Sequence, residues 1–257
     1  MSLVHGLETP LHALVTGASS GIGLALVAQL LAREDTHRVL AVARSAADSP
    51  ALRALAEAHP GRLIRIDVDL SVDAARARLG ALVRAEVDAL HLLFNAAGLL
   101  HAEGLQPEKS LAQLSESALQ RSFALNAFAP ILLVQALLPL FDAKQPGMIA
   151  SLSARVGSIA DNALGGWYSY RAAKAAQNQL MRTLAVELKR SHPKLAVLQL
   201  HPGTVDTPLS APFKARVPAA KLFTPDQSAA LLLQVIAAST AADSGRFLAY
   251  DGSEVPW

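Results

Sequence analysis

At 257 residues, with 52 % hydrophobic and 17 % charged side chains, the chain has the size and apolar content of one large α/β domain and excludes a disordered or fibrous protein. A net charge of +2 with histidine neutral is too weak and too scattered for a nucleic-acid surface, in spite of a sequence pI near 9.0, and directs attention to a small-molecule partner. The lack of cysteine excludes disulfides, thiol catalysis and cysteine metal sites.

The opening MSLVHGLETP has no basic segment followed by a long apolar one, so no signal peptide is expected. LHALVTG then reads as a buried strand, SGIGLALVAQLLAR as a helix opened by glycines, and HRVLAVAR as a second strand, a βαβ unit of ordinary length. A helix near 51–59, strand RLIRIDV, a helix over 71–86, strand LHLLFN and a long helix around 111–141 follow. Within that long helix ILLVQALLPLF comes nearest to a membrane span, but it is short, carries Gln135 and contains Pro139. It reads as a buried helix of a cytoplasmic protein. Strand GMIASLS, a helix carrying Tyr170, strand KLAVLQL, a proline-punctuated stretch, a helix over 226–238 and strand GRFLAY complete the chain. Strands alternating with helices at these lengths predict an α/β fold: a doubly wound, seven-stranded parallel sheet with helices on both faces. No linker or repeat divides it, so residues 1–257 read as a single domain. Ligands of such sheets bind beyond the carboxyl ends of the strands.

After the first strand, TGASSGIG places Gly17, Gly21 and Gly23 ahead of an apolar helix. Glycine lets the backbone approach a phosphate, and the helix end behind it offers unpaired N–H groups. The spacing is neither the usual dinucleotide fingerprint nor a nucleoside triphosphate loop; alone it suits a phosphate site or a tight turn, and its place after strand one favours the phosphate. Taken with DVDL, NAAG, HPGTVDT and YSYRAAK in this order, the sequence resembles the short-chain dehydrogenase/reductase family over nearly its whole length, and looks most like its C-factor or carbonyl-reductase-like subgroup. The resemblance implies a Rossmann domain with a nicotinamide cofactor. Gly17, Ser19, Ser20, Gly21, Ile22 and Gly23 would form its phosphate loop, Asp67 and Val68 would flank the adenine, and Asn95, Ala96, Ala97 and Gly98 would line the cofactor. Pro202, Gly203, Val205 and Thr207 would close over the nicotinamide. Where an NAD enzyme usually has an acid after strand two, AVARS has Arg44. A guanidinium can pair with a 2′-phosphate, so NADP(H) is expected rather than NAD(H).

In GWYSYRAAK, Tyr170 and Lys174 lie four apart and share a helix face; Tyr168, six residues from Lys174, does not. The resemblance makes Tyr170 the acid/base and lets Lys174 bind the nicotinamide ribose. A lysine charge about 4 Å away is worth about 1 kcal/mol in water and about 4 kcal/mol at an effective dielectric of about 20, enough to lower a phenol pKa by roughly one to three. Trp167 and Tyr168 are candidates for the substrate cleft or for ordinary packing. Asn126 matches the family asparagine whose carbonyl holds a relay water, and Pro130, four residues later, has no N–H to occupy that carbonyl. In SLSARVGS, alignment on Gly157 puts Ala154 where the family has its substrate-binding serine. Ser153, on the opposite side of an extended strand, could serve only through a bulge, and Ser158 is another candidate.

These features predict an NADP(H)-dependent reductase or dehydrogenase acting on a small carbonyl or alcohol, with Asn126, Ser153, Tyr170 and Lys174 as the catalytic set. The alternative is a cofactor-binding signalling or regulatory protein with little turnover, favoured by Ala154. A substrate lid is expected over roughly 205–224. The resemblance also suggests a homodimer or homotetramer formed through the helices that carry Asn126 and Tyr170. No membrane partner and no metal are expected, because the histidines lack ligand spacing.

Overall fold

In β1 (Leu11–Thr16), Leu11, Ala13 and Val15 point to one face and Leu14 to the other, the period of two that an extended chain imposes. That alternation decides which helices cover which face in the computed structural model, which describes residues 2–214 and 217–257. α1 (Gly21–Leu31), α2 (Pro50–Ala58) and α7 (Pro225–Ala238) bury Leu26, Leu30, Leu52, Leu232 and Ile236 against the first face. α3 (Asp73–Arg84), α5 (Ala129–Leu137) and α6 (Tyr168–Ser191) bury Leu79, Val83, Leu133, Leu137, Met181 and Leu188 against the second.

The remaining strands are β2 (Thr36–Ala43), β3 (Leu63–Asp67), β4 (Leu92–Asn95), β5 (Gly147–Leu152), β6 (Leu195–His201) and β9 (Phe247–Ala249). With β1 they form a seven-stranded parallel sheet in the order β3-β2-β1-β4-β5-β6-β9, as expected. The winding reverses between β1 and β4, which opens a crevice at their carboxyl ends. There the register aligns Thr16 with Asn95, Asn95 with Ser151 and Ser151 with Gln199, a row of polar side chains across the floor of the crevice. β7 (Thr204–Val205) and β8 (Leu222–Phe223) form a separate two-stranded ladder. They bracket the expected lid, of which residues 215 and 216 lie outside the described residues.

The long helix expected over 111–141 is segmented. A short turn at Leu111–Gln113 precedes α4 (Glu116–Phe123), then a π-helical turn at Ala124–Phe128 leads into α5 and a final 3₁₀ turn at Leu138–Leu140. Pro130 supplies the reason, because a residue without an N–H cannot complete the α-helical bond to Asn126 and a wider turn accommodates it. Contrary to the sequence reading, the continuous stretch Glu116–Leu140 is long and apolar enough to cross a bilayer. Its apolar face is instead spent inside the protein, where Ala129, Leu133, Val134 and Leu137 join the core.

At the amino ends of β1, β2 and β4, opposite the crevice, three histidines meet. The His12 N–H donates to His91 Nδ1 at 3.1 Å, His12 Nδ1 lies 2.9 Å from the Ala89 carbonyl, and His12 Nε2 lies 3.2 Å from His37 Nδ1. Burial lowers the pKa of both His12 and His91, and a protonated His91 Nδ1 could no longer accept from His12. Histidines with a depressed folded pKa bind fewer protons folded than unfolded, so their stabilisation is complete above about pH 6.5 and is lost as pH falls below it. The melting temperature should therefore drop between about pH 7 and about pH 5. His91→Gln, which keeps an acceptor but cannot titrate, should make that drop shallower in a differential scanning fluorimetry series; an unchanged slope would rule His91 out as a source of it.

Candidate active site

The crevice is built first by backbone that carries no side chain. Gly17 (φ +64) packs against Ala97, where a Cβ would meet backbone atoms at 2.9 Å, and a Cβ on Gly23 would sit 2.3 Å from the Gly17 carbonyl oxygen. Ser20, the residue before α1, places no side chain on the helix N-terminus, so the first N–H groups of α1 face the cleft without a capping partner. Thr16 Oγ1 accepts from the backbone N–H of Ala96 at 3.1 Å and of Ala97 at 3.2 Å, fixing the loop after β4. From the other side, Asn126 Oδ1 accepts from the Leu99 N–H at 2.8 Å and its Nδ2 donates to the Leu99 carbonyl at 2.7 Å and to Ser122 Oγ at 3.1 Å.

The result is a cleft of about 840 Å³ that brings together Gly17, Ser19, Ser20, Gly21, Ile22, Gly23, Arg44, Val68, Ala96, Ala97, Gly98, Ser153, Tyr170, Lys174, Pro202 and Thr207. Its glycine cradle, uncapped helix end and arginine suit an elongated phosphate-bearing cofactor. Gly203 and Val205 line instead a second, adjoining cavity of about 390 Å³. Three further expected residues line neither cavity. Asp67 turns outward to accept from the Ala47 N–H at 2.9 Å, and the acid on the wall is Asp69, two residues further along and beyond the end of β3. Asp69 accepts from Ser71 through its N–H at 2.9 Å and its hydroxyl at 2.6 Å, and those bonds, with Arg44 nearby, lower its pKa. Asn95 is buried beneath the wall and donates to Ser151 Oγ at 2.9 Å. Asn126 is likewise fully buried, its side chain a clamp between the β4 loop and the π turn.

Tyr170 and Lys174 face the cleft from the first turns of α6, both buried, with Lys174 Nζ 5.8 Å from the centre of the Tyr170 ring. Nζ donates to the Leu152 carbonyl at 2.7 Å and to Gln177 Oε1 at 2.9 Å. The expectation that the lysine charge acidifies the phenol is reversed in the protein alone. Burial raises the Tyr170 pKa and pulls Lys174 down to about 7, because removing water from either charged form outweighs their attraction at this separation. Ser153 Oγ is committed to Asn178 Oδ1 at 2.7 Å, and Ser158 Oγ accepts from the Asp161 N–H at 3.1 Å. Ala154 lies on the wall of the second cavity.

That cavity has apolar walls, among them Leu100, Val156, Leu164, Trp167, Leu209 and Phe213. Trp167 adopts φ 53, the only positive φ at a non-glycine among the described residues, and its ring lies 5.0 Å from that of Phe213. Its N–H donates to the Glu108 carbonyl at 2.5 Å, while the Glu108 carboxylate accepts from the N–H and hydroxyl of Ser169. The helix thus takes its cap from a distant loop. Tyr168 is 40 % exposed and borders neither cavity. His201, part of HPGTVDT but not singled out by the sequence, lines the second cavity with its Nδ1 buried and unpartnered; burial pulls its pKa down to about 4.

Comparison with known proteins agrees with this geometry. Residues 11–217 match the family model described as short chain dehydrogenase. The chain is 32 % identical over 245 residues to the 1-hydroxy-2-glutathionyl-2-methyl-3-butene dehydrogenase of Rhodococcus sp. (strain AD45), covering 95 % of this chain and 98 % of that one. It is 37 % identical over 148 residues to the C-signal of Myxococcus xanthus, covering 58 % of this chain and 84 % of that one. Among solved structures, the NADPH-bound carbonyl reductase from chicken fatty liver superposes with a TM-score of 0.84 at 29 % identity, over 98 % of this chain and 100 % of that one.

Proposed function

The chain belongs to the short chain dehydrogenase family, and from that premise we propose that it is an NADP(H)-dependent carbonyl reductase acting on small, largely apolar ketones or aldehydes. The observation that carries this reading is the position of Tyr170, which lies on the wall of both cavities. Its hydroxyl joins a cleft suited to a dinucleotide to an apolar chamber suited to a substrate. When bound, the reduced nicotinamide supplies the hydride that reaches the carbonyl carbon. Tyr170 Oη gives its proton to the carbonyl oxygen, so carbon gains hydride, oxygen gains a proton and the product is the alcohol. A phenol whose pKa burial raises stays protonated at neutral pH, which supports reduction as the working direction.

Lys174 holds a positive charge and hydrogen-bond donors beside the phenol as its proton departs. Asn126 keeps the β4 loop and the π turn in register. Trp167, Leu164, Val156 and Phe213 exclude water from the reacting carbonyl. Ala154 offers no hydroxyl to that oxygen, so Tyr170 is left as the principal donor to it.

Arg44, directly after β2 and on the cleft wall, would pair with the 2′-phosphate of NADP. Reduced-nicotinamide oxidation against a panel of aromatic and aliphatic ketones tests both halves of the reading. The wild type should prefer NADPH, and Arg44→Asp should move the NADPH to NADH ratio of kcat/KM by about 100-fold toward NADH, the scale of losing a charge-assisted pair worth about 1.5–3 kcal/mol. No movement would make Arg44 a bystander. The second reading, a cofactor-binding signalling protein, is favoured by Ala154; it requires tight NADPH binding with no member of the panel reduced.

A further inference from the structure

Lys174 is held by a chain of buried amides that neither the phosphate loop nor the Tyr170–Lys174 pair accounts for. Gln199 Nε2 donates to the Leu198 carbonyl at 3.2 Å, and Gln199 Oε1 accepts from Gln177 Nε2 at 2.9 Å. Gln177 Nε2 donates also to the Leu152 carbonyl at 3.2 Å, and Gln177 Oε1 accepts from Lys174 Nζ at 2.9 Å. All three side chains are buried. Every bond in the chain has the same sense. With its amide nitrogen committed twice, Gln177 can present only its oxygen to Lys174. The network costs desolvation of two amides in the buried interior, which leucine at both positions would avoid.

We propose that Gln177, locked in one orientation by Gln199, is a positioning residue that favours the ammonium form of Lys174 against its burial and leaves its third N–H to the cleft. This rests on the reading of the Tyr170–Lys174 pair given above. The surroundings leave Gln177 and the Leu152 carbonyl as the groups that can do so. On α6, Tyr170 presents its ring 5.8 Å from Nζ, and Arg171 turns away to the carbonyls of Val156, Gly165 and Gly166. From the Arg155–Gly157 turn packed against α6, Arg155 pairs with Asp161. From β6, His201 stays neutral. From α4, Glu116 accepts from Gln120 and Arg121 donates to the Glu103 carbonyl, both at the surface. Among the described residues no carboxylate is paired with Lys174. A neutral amine could serve both inward-facing oxygens only through weaker, uncharged bonds and would turn its lone pair to the cleft, whereas the ammonium makes charge-assisted bonds to both and keeps one N–H over.

The test follows Lys174 by NMR in cofactor-free protein carrying an isotope label at lysine Cε, with its signal assigned by Lys174→Arg. Gln177→Leu should lower the Lys174 titration midpoint by roughly one pH unit, the loss of one bond to a charged donor. Gln177→Glu should raise it by at least as much, and Gln199→Leu, which frees the Gln177 amide to turn over, should fall between wild type and Gln177→Leu. The alkaline limb of kcat/KM for para-nitrobenzaldehyde with NADPH should move in the same order. A midpoint that is unchanged or raised in Gln177→Leu would overturn the proposal; should that variant not fold, an unshifted midpoint in Gln177→Glu would overturn it equally. Midpoints that move in the stated order in a protein that reduces no carbonyl would uphold this role for Gln177 and remove the enzymatic reading instead.

Discussion

Tyr170→Phe should lower kcat by about 10³-fold while changing the NADPH dissociation constant by less than about threefold, because it removes one oxygen and nothing else. The ring is buried at the mouth of both cavities, and phenylalanine fills the same volume without a new cavity. The hydroxyl is not a structural bond that the fold would miss, since among the described hydrogen bonds none uses Tyr170 Oη. Its loss should therefore be felt in the chemical step and not in folding or cofactor affinity. Ala154 sharpens the expectation. With no serine hydroxyl at position 154 to polarise the carbonyl, the variant loses the principal donor to that oxygen, and the residual rate should be close to that of orientation alone. A Tyr170→Phe enzyme that keeps more than about a tenth of its turnover would mean the proton comes from elsewhere, with neutral His201 on the cavity wall the first place to look.

What could be read from the chain follows from which interactions are local. The glycine loop and the Tyr170–Lys174 spacing depend on residues within one turn or one loop, so periodicity and turn chemistry found them. The seven strands were legible because both faces of the sheet are covered and each strand is a short apolar run. The resemblance points to Asp67, whereas Asp69 lies on the cleft wall; the chain leaves the extended strand after Asp67, and its path from there is set by packing and not by spacing. Gln177 and Gln199 are twenty-two residues apart and look in sequence like solvated polar residues on a helix and a strand; only the α6–β6 packing makes them one network. The sign of the tyrosine shift also depended on packing. Pairwise attraction can be counted from spacing, but the desolvation that exceeds it needs the whole surrounding wall.

Two glycines of the cofactor motifs, indistinguishable in sequence, should respond in opposite ways. Gly23→Ala should weaken NADPH binding by more than about 100-fold and lower the melting temperature by about 5–10 °C, as overpacking of about 1–3 kcal/mol would in a protein of this size. The new Cβ would stand 2.3 Å from the Gly17 carbonyl oxygen, 2.7 Å from the Gly17 carbonyl carbon and 3.2 Å from the Ala18 nitrogen. All three are backbone atoms, so no side chain can swing aside, and relief comes only by moving the phosphate loop off the end of α1. That displaces the N–H groups that would hold the pyrophosphate. Gly98→Ala meets only Asn126 Oδ1 at 3.5 Å and Leu209 Cδ1 at 3.7 Å, ordinary contacts at a position without positive φ, and should leave the melting temperature within about 3 °C of wild type. Thermal shift and NADPH fluorescence titration on the pair separate the two effects. If Gly23→Ala bound NADPH as well as Gly98→Ala does, the close approach of loop to helix would not be what forms the phosphate site.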